Sequence, residues 1–112
     1  MTWKKEIVER YGREYVFRQL AEEASELCQA ALKLVRVMNN ETPVRWSEAQ
    51  EHLLEEIADV QTMTEIVTSV MLTWEGLHKI EEYRAKKEQR MRERTVENDQ
   101  QRCPCKTSLL MS

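Results

Sequence analysis

The sequence predicts an all-α protein, an antiparallel bundle of about four helices. Only two Gly and two Pro occur among its 112 residues, and Ile and Val are scattered along the chain rather than clustered. A β-sheet would therefore lack both the residues that form its turns and the runs that form its strands. Charged residues make up 33% of the chain, which suits long helices with polar outer faces.

The first two helices follow from the spacing of apolar residues. The first covers residues 3–12, and Gly12 marks its end or a bend. The second runs from about Glu14 to Met38, because apolar residues recur there at alternating spacings of three and four. This seam consists of Phe17, Leu20, Ala24, Leu27, Ala31, Leu34 and Met38.

Two further helices follow a break at residues 39–43, which contain two Asn and a Pro. Ser47 with Gln50 three residues later resembles a capping box, which predicts the start of the third helix. Thr73 is the predicted cap of the fourth helix, which begins near Trp74 and ends near Arg94. The seam of the third helix consists of Leu53, Ile57, Val60, Thr64, Val67 and Met71.

The chain is predicted to form one helical domain over residues 1–95 and a polar, flexible tail over residues 96–112. Three cysteines, an odd number, argue against a disulfide framework and for a reducing, cytoplasmic location. Cys28 is predicted to pack in a helix. The Cys103-Pro104-Cys105 segment in the tail is only a weak zinc signal, because it has neither a second pair nor a nearby His.

The charge pattern excludes several classes of partner. With a net charge of −3, no global basic field favours stable nucleic-acid binding. No apolar stretch is long enough to span a membrane, and no leader sequence is recognisable, so membrane insertion and secretion are not expected. Six of the 17 Lys and Arg residues lie in residues 84–94, whereas the acidic residues concentrate upstream.

Acidic residues spaced three apart carry little information alone, since the chain has 18 Glu among its 20 acidic residues. Two such pairs differ from the rest by their relation to the seams. At about 100° per residue, Glu23 and Glu26 lie about 60° and 120° to one side of the second helix's seam. Glu56 and Asp59 lie about 50° and 110° to the same rotational side of the third. Ordinary solvated surface explains the pairs Glu6/Glu9 and Glu48/Glu51.

If these two helices are antiparallel neighbours, the four acids share one face at a similar height. Like charges that close together need a counter-charge, and a divalent cation with oxygen ligands, above all Mg²⁺, supplies one. The alternative is that the acids are solvated residues beside the seam. Against it stands Asp59, one of only two Asp in the chain, because Asp is a poor helix former.

These residues resemble the signature of the MazG-like nucleoside triphosphate pyrophosphohydrolases, E-E-x-x-E followed after a gap by E-x-x-D on two helices of an all-α fold. Residues 19–27 read Gln-Leu-Ala-Glu-Glu-Ala-Ser-Glu-Leu, and residues 54–60 read Leu-Glu-Glu-Ile-Ala-Asp-Val. Tyr11-Gly12 and the basic run at 86–90 are also similar to short members. The resemblance covers about residues 11 to 94, and its motif is moderately specific.

The resemblance implies hydrolysis of an NTP or dNTP between the α- and β-phosphates, which gives the monophosphate and pyrophosphate. It implies Mg²⁺ as the cofactor, with Mn²⁺ as a substitute. The metal ligands would then be Glu23, Glu26, Glu56 and Asp59, with Glu22 and Glu23 as the catalytic residues, Glu22 by supporting or activating water. Lys87, Arg90 or Arg94 would hold the phosphates, unless that segment is simply a solvated charged helix.

Two alternatives and two departures from the family pattern stay open. The fold and acids are also compatible with a phosphoribosyl-ATP pyrophosphohydrolase, or with a non-catalytic helical interaction module. The gap between the acidic pairs is longer than in compact members, so the 39–47 loop is either a specificity or lid element or without a role. The cysteine tail matches no family pattern. Long seams on a short chain predict a homo-oligomer, either a dimer or a dimer of dimers.

Overall fold

The computed structural model describes residues 2–99, which form three α-helices and one π-helical turn. Helix α1 spans Trp3–Met38, α2 spans Trp46–Ile66, the π-helical turn spans Val67–Met71, and α3 spans Trp74–Asp99. No strand occurs among these residues, so the all-α prediction is confirmed. Residues 100–112, with the Cys103-Pro104-Cys105 segment, lie outside the description. None of the helices in the described part is long and apolar enough to cross a membrane.

The predicted helix count is corrected at Gly12. The first two predicted helices belong to one element, α1, which is kinked where Gly12 adopts φ 88° and ψ 167°. This backbone region is essentially restricted to glycine, because a side chain would clash with the flanking peptide groups. The kink needs one residue and no loop, so the structure has three α-helices rather than about four.

Helix α1 ends in a Schellman motif, and this explains why the helical pattern breaks after residue 38. Asn39 is the C-cap, and Asn40 takes a left-handed conformation with φ 57°. The backbone N–H of Asn40 donates to the carbonyl of Val37, and that of Glu41 donates to the carbonyl of Arg36. Asn tolerates left-handed backbone better than most residues, so it suits this position.

The two later helix starts differ in how well they were predicted. The N-cap of α2 is Arg45, which makes no side-chain capping bond. The predicted capping box is therefore wrong, since Ser47 already lies inside the helix, and the connection is residues 39–45. The cap of α3 is confirmed, because the Thr73 hydroxyl accepts a hydrogen bond from the Gly76 N–H at 3.2 Å. Helix α3 also continues past its predicted end near Arg94.

The chain divides into two compact units, Met1–Leu72 and Thr73–Ser112. In the first unit α1 and α2 pack against each other. They are antiparallel, because Lys4 near the start of α1 forms a 2.7 Å ion pair with Glu65 near the end of α2. The described part of the second unit consists of α3. The buried apolar residues, all in the first unit, are Val16, Ala30, Ala49 and Ile66.

The interface between α1 and α2 is displaced by one residue from the predicted seams. On α1, Val16 and Ala30 are buried, whereas the seam residue Phe17 is 51% exposed. On α2, Glu56 is only 7% exposed, whereas the seam residue Ile57 is 36% exposed. The displacement arises because both helices carry apolar residues over a wide arc, so spacing alone does not locate the centre of the contact.

Candidate metal centre

Four carboxylates, named here the carboxylate cluster, lie along the α1–α2 interface: Glu23 and Glu26 on α1, and Glu56 and Asp59 on α2. A spacing of three residues places both members of each pair on one side of their helix. Because the helices are antiparallel, the first acid of one pair lies near the second acid of the other. An oxygen of Glu23 lies within 4.8 Å of one of Asp59, and Glu26 lies near enough to Glu56 for its charge to raise the pKa of Glu56.

Three members of the cluster are close enough to share one ion. One carboxylate oxygen from each of Glu23, Glu56 and Asp59 lies within 4.8 Å of the other two. Oxygen ligands of Mg²⁺ or Ca²⁺ lie about 2.0–2.6 Å from the ion, so two ligands on opposite sides of it are about 4.0–5.2 Å apart. The observed spacing therefore falls within the coordination sphere of a single divalent cation.

The oxygens that would face such an ion lack partners. Oε2 of Glu23 and Oε2 of Glu56 are both buried and accept no hydrogen bond from any described residue. The Glu56 side chain is only 10% exposed. An ionised carboxylate removed from water needs a donor or a counter-charge. These bare oxygens are the hard ligands that a divalent cation prefers, and the donor set therefore fits a metal such as Mg²⁺.

Glu26 occupies the rim of the cluster. Its side chain is exposed, and it is not among the three acids whose oxygens lie within 4.8 Å of one another. Its negative charge nevertheless raises the pKa of both Glu23 and Glu56, ranking directly after burial as a cause in each case.

The Glu23 carboxyl has a pKa raised above its ordinary value of 4.5. The main cause is burial, which removes water from the charged form. The negative charges of Glu26, Asp59 and Glu56 add to the effect in that order, and so does the contact with Asp59. Proton binding to Glu23 and cation binding to the cluster therefore relieve the same repulsion.

The pKa of Glu56 is raised above its ordinary value as well, again mainly because the group is buried. The charge of Glu26 and the carboxyl contact with Glu26 follow, and the charge of Asp59 is a smaller cause. His52 acts in the opposite direction and lowers the pKa of Glu56. The pKa is thus raised for two acids on two different helices, which indicates that the cluster as a whole carries excess negative charge.

His52 is a site residue that was missed in the sequence. Its Nε2 atom lies 3.3 Å from Oε1 of Glu56, and its side chain is 40% exposed. The signal was available, because residues four apart on a helix are neighbours on its surface. The predicted site contained only acids spaced three residues apart, so it did not include His52.

The remaining predicted site residues lie outside this group of contacts. Glu22 is exposed, and the Gln19 side-chain amide donates to its Oε2 at 3.3 Å. Lys87 and Arg90 are exposed on α3, in the second unit. The roles of these three residues in catalysis and phosphate binding stay predictions.

Comparison of the chain with models of known protein families, with curated proteins and with solved structures gives no match.

Proposed function

We propose that this protein is a magnesium-dependent nucleoside triphosphate pyrophosphohydrolase of the MazG-like kind. It would cleave a (d)NTP or a related nucleotide between the α- and β-phosphates, and release the monophosphate and pyrophosphate. The observation that carries the proposal is the convergence of three carboxylates within 4.8 Å across two antiparallel helices. The buried, unpartnered Oε2 atoms of Glu23 and Glu56 support it.

The metal would be held by Glu23, Glu56 and Asp59, with Glu26 completing the set from the rim. When bound, Mg²⁺ supplies positive charge opposite the phosphates and lowers the pKa of its coordinated water. The excess negative charge of the apo cluster makes such an ion favourable, since each acid relieves its neighbours by sharing it. Mn²⁺, which also accepts carboxylate and water ligands, is the expected substitute.

Glu22 is proposed to orient the attacking water and to accept its proton. Its exposure leaves the carboxylate free to face solvent and substrate, and it lies one helical turn before Glu26. Lys87 and Arg90 are proposed to bind the phosphates of the substrate, since an exposed basic segment attracts a polyanion. If these two residues act only as a solvated helix surface, neutral replacements will leave the Michaelis constant unchanged.

We also propose that the protein self-associates, either as a dimer or as a dimer of dimers. We measure angles around each helix axis from its buried acid, Glu23 or Glu56. The second acid of the pair, Glu26 or Asp59, lies about 60° to one side. Several exposed apolar residues lie about 100–160° to the other side. These residues include Phe17 (51% exposed), Leu54 (52% exposed) and Ile57 (36% exposed). The helix pair thus has an apolar face opposite the acids, which a second copy of the chain would cover.

The test is pyrophosphate release from a panel of substrates: the common NTPs and dNTPs, and phosphoribosyl-ATP. Each is incubated with the protein in Mg²⁺, in Mn²⁺, and in excess chelator. Release from NTPs or dNTPs that requires the metal supports the proposal. Release from phosphoribosyl-ATP alone would indicate the related pyrophosphohydrolase. Release from none of them would indicate a helical interaction module and overturn the proposed activity.

A further inference from the structure

The two oxygens of the Glu56 carboxylate have different surroundings. Oε1 lies 3.3 Å from Nε2 of His52, one helical turn earlier on α2. Oε2 is buried and has no hydrogen-bond partner among the described residues. One oxygen is thus next to an imidazole, while the other is left for a ligand.

One tautomer of the His52 imidazole suits its contact with Glu56. Its Nδ1 atom is buried and also lacks a partner among the described residues, so a hydrogen placed there would have no acceptor. A neutral imidazole carries its hydrogen on only one of the two nitrogens. The hydrogen is better placed on Nε2, where Oε1 of Glu56 is the nearby acceptor.

We propose that His52 is a positioning residue that occupies Oε1 of Glu56, so that Glu56 offers a single oxygen to the metal and the site selects Mg²⁺ over Ca²⁺. This inference rests on the proposed function, because it assumes that the carboxylate cluster binds a divalent cation. Donors in the outer shell of a metal site commonly fix the orientation of the groups that ligate the metal.

The selectivity follows from the different demands of the two ions. Ca²⁺ takes six to eight oxygen ligands at about 2.3–2.6 Å and often binds both oxygens of a carboxylate. Mg²⁺ demands a near-octahedral arrangement at about 2.0–2.1 Å and keeps several waters. A carboxylate that offers only one oxygen, because an imidazole contacts the other, suits Mg²⁺. Without His52, Glu56 is free to turn and present both oxygens, which favours Ca²⁺.

A purely electrostatic role for His52 makes a different prediction. A positively charged imidazole repels any cation, and its removal would strengthen the binding of Mg²⁺ and Ca²⁺ alike because both carry two charges. The ratio of the two affinities therefore separates positioning from charge. This ratio also separates positioning from a general loss of stability, which would weaken the binding of both ions together.

The experiment measures the rise in melting temperature as Mg²⁺ alone or Ca²⁺ alone is titrated into the full-length protein. The variants are His52→Leu, which removes the donor, and His52→Gln, which keeps an N–H that can reach Oε1. We expect His52→Leu to weaken Mg²⁺ binding by about tenfold, the lower end of the range for outer-shell replacements. Ca²⁺ binding should not weaken, so the ratio of Mg²⁺ to Ca²⁺ affinity should fall by the same factor. His52→Gln should retain most of the wild-type ratio.

Circular dichroism shows whether each variant is folded, and His52→Ala replaces His52→Leu if the larger side chain disturbs the interface. An unchanged ratio in the donor-free variant, while the wild type binds Mg²⁺, overturns the positioning role but leaves the proposed function intact. A wild-type protein that neither ion stabilises overturns the metal site, and the selectivity with it. If His52→Gln and His52→Leu lower the ratio of Mg²⁺ to Ca²⁺ affinity equally, that result would also contradict the role of the N–H donor.

Discussion

Glu23 and Glu56 meet across the α1–α2 interface, at positions where packed helices ordinarily place apolar side chains. A carboxylate oxygen of each lies within 4.8 Å of the other and of Asp59, and the buried Oε2 atom of each has no hydrogen-bond partner among the described residues. Burial, and after it the negative charge of Glu26, raise the pKa of both groups. The interface therefore carries two acids that weaken the apo fold and that a divalent cation would stabilise.

The first prediction concerns Glu56, the most buried of these acids. Glu56→Gln should leave the apo protein as stable as the wild type or more stable, because it removes a repelled negative charge. It should also abolish most of the Mg²⁺-dependent stabilisation, which for one site reaches about 2.7 kcal/mol at a hundred times the dissociation constant. Hydrolysis should fall by at least about 100-fold, since even outer-shell replacements cost 10–100-fold. Thermal melting with and without Mg²⁺, and pyrophosphate release, measure these effects.

Glu51→Gln is the matched control, because Glu51 is an exposed acid on the same helix. It removes the same charge by the same change and should behave like the wild type in both assays. If the two variants respond equally to Mg²⁺ and to nucleotide, the buried acids do not differ from the surface, and the metal centre is wrong.

The second prediction is the pH dependence of the apo protein. The folded-state pKa values of Glu23 and Glu56 are raised above the ordinary 4.5. An acid with a raised folded pKa binds its proton more tightly in the folded state, so its contribution to stability is lost as pH rises. In metal-free buffer, the free energy of unfolding should therefore fall between pH 4.5 and the raised values of the two acids.

Urea unfolding at a series of pH values checks this prediction. The double variant Glu23→Gln/Glu56→Gln should show a smaller decline over the same interval, because both titrating groups are gone. Saturating Mg²⁺ should also reduce the decline in the wild type. An apo protein whose stability rises across that interval, with the double variant showing the same rise, would contradict the raised pKa values.

The third prediction uses the only two glycines of the chain. Gly12→Ala should destabilise the protein by about 1–3 kcal/mol, because φ 88° with ψ 167° is accessible essentially to glycine alone. Apart from the residues next to Gly12 and the local helix backbone, no described atom lies within 4 Å of an added Cβ, so the cost comes from the local backbone conformation rather than from a clash with another part of the protein. The measurement is the free energy of unfolding in urea.

Gly76→Ala is the control for this prediction and should have the opposite sign. Gly76 lies in the first turn of α3, where Ala is favoured over Gly by about 0.5–1 kcal/mol. Should Gly12→Ala prove neutral or stabilising, α1 would be able to run straight through residue 12, and the kink would not be required by the fold.

The fourth prediction tests the apolar face of the helix pair. Phe17→Glu places a charge on that face and should dissociate the proposed oligomer, because an uncompensated charge is costly in an apolar interface. Gln29→Glu, at an exposed position of α1 on the acidic side, adds the same charge and should leave the assembly unchanged. Light scattering gives the masses. A wild-type protein that is monomeric at about 100 µM would refute the oligomer, since the exposed face would then have no partner copy.

Much of the architecture was predictable from local patterns. Few glycines and prolines, apolar spacings of three and four, and a break at two asparagines were sufficient for the helical class and for the connection after Met38. Thr73 was recognisable as a cap because its hydroxyl acts within one turn. The capping box at Ser47 failed because the same spacing also occurs inside a helix, and nothing in the pattern distinguishes the two cases.

The formation of these helices and the shared rotational side of the two acidic pairs were predictable from the order of residues, since both follow from the geometry of a single helix. The centre of the α1–α2 contact was not predictable and is known from the packing of the two helices. Each helix is apolar over a wide arc, so packing could have used Phe17 and Ile57 rather than Val16 and Glu56. That one-residue displacement moved Glu23 and Glu56 from the flank into the interface, whereas the contact between His52 and Glu56 follows from their spacing on one helix. Which part of an arc is buried depends on the partner helix, and periodicity carries no information about that choice.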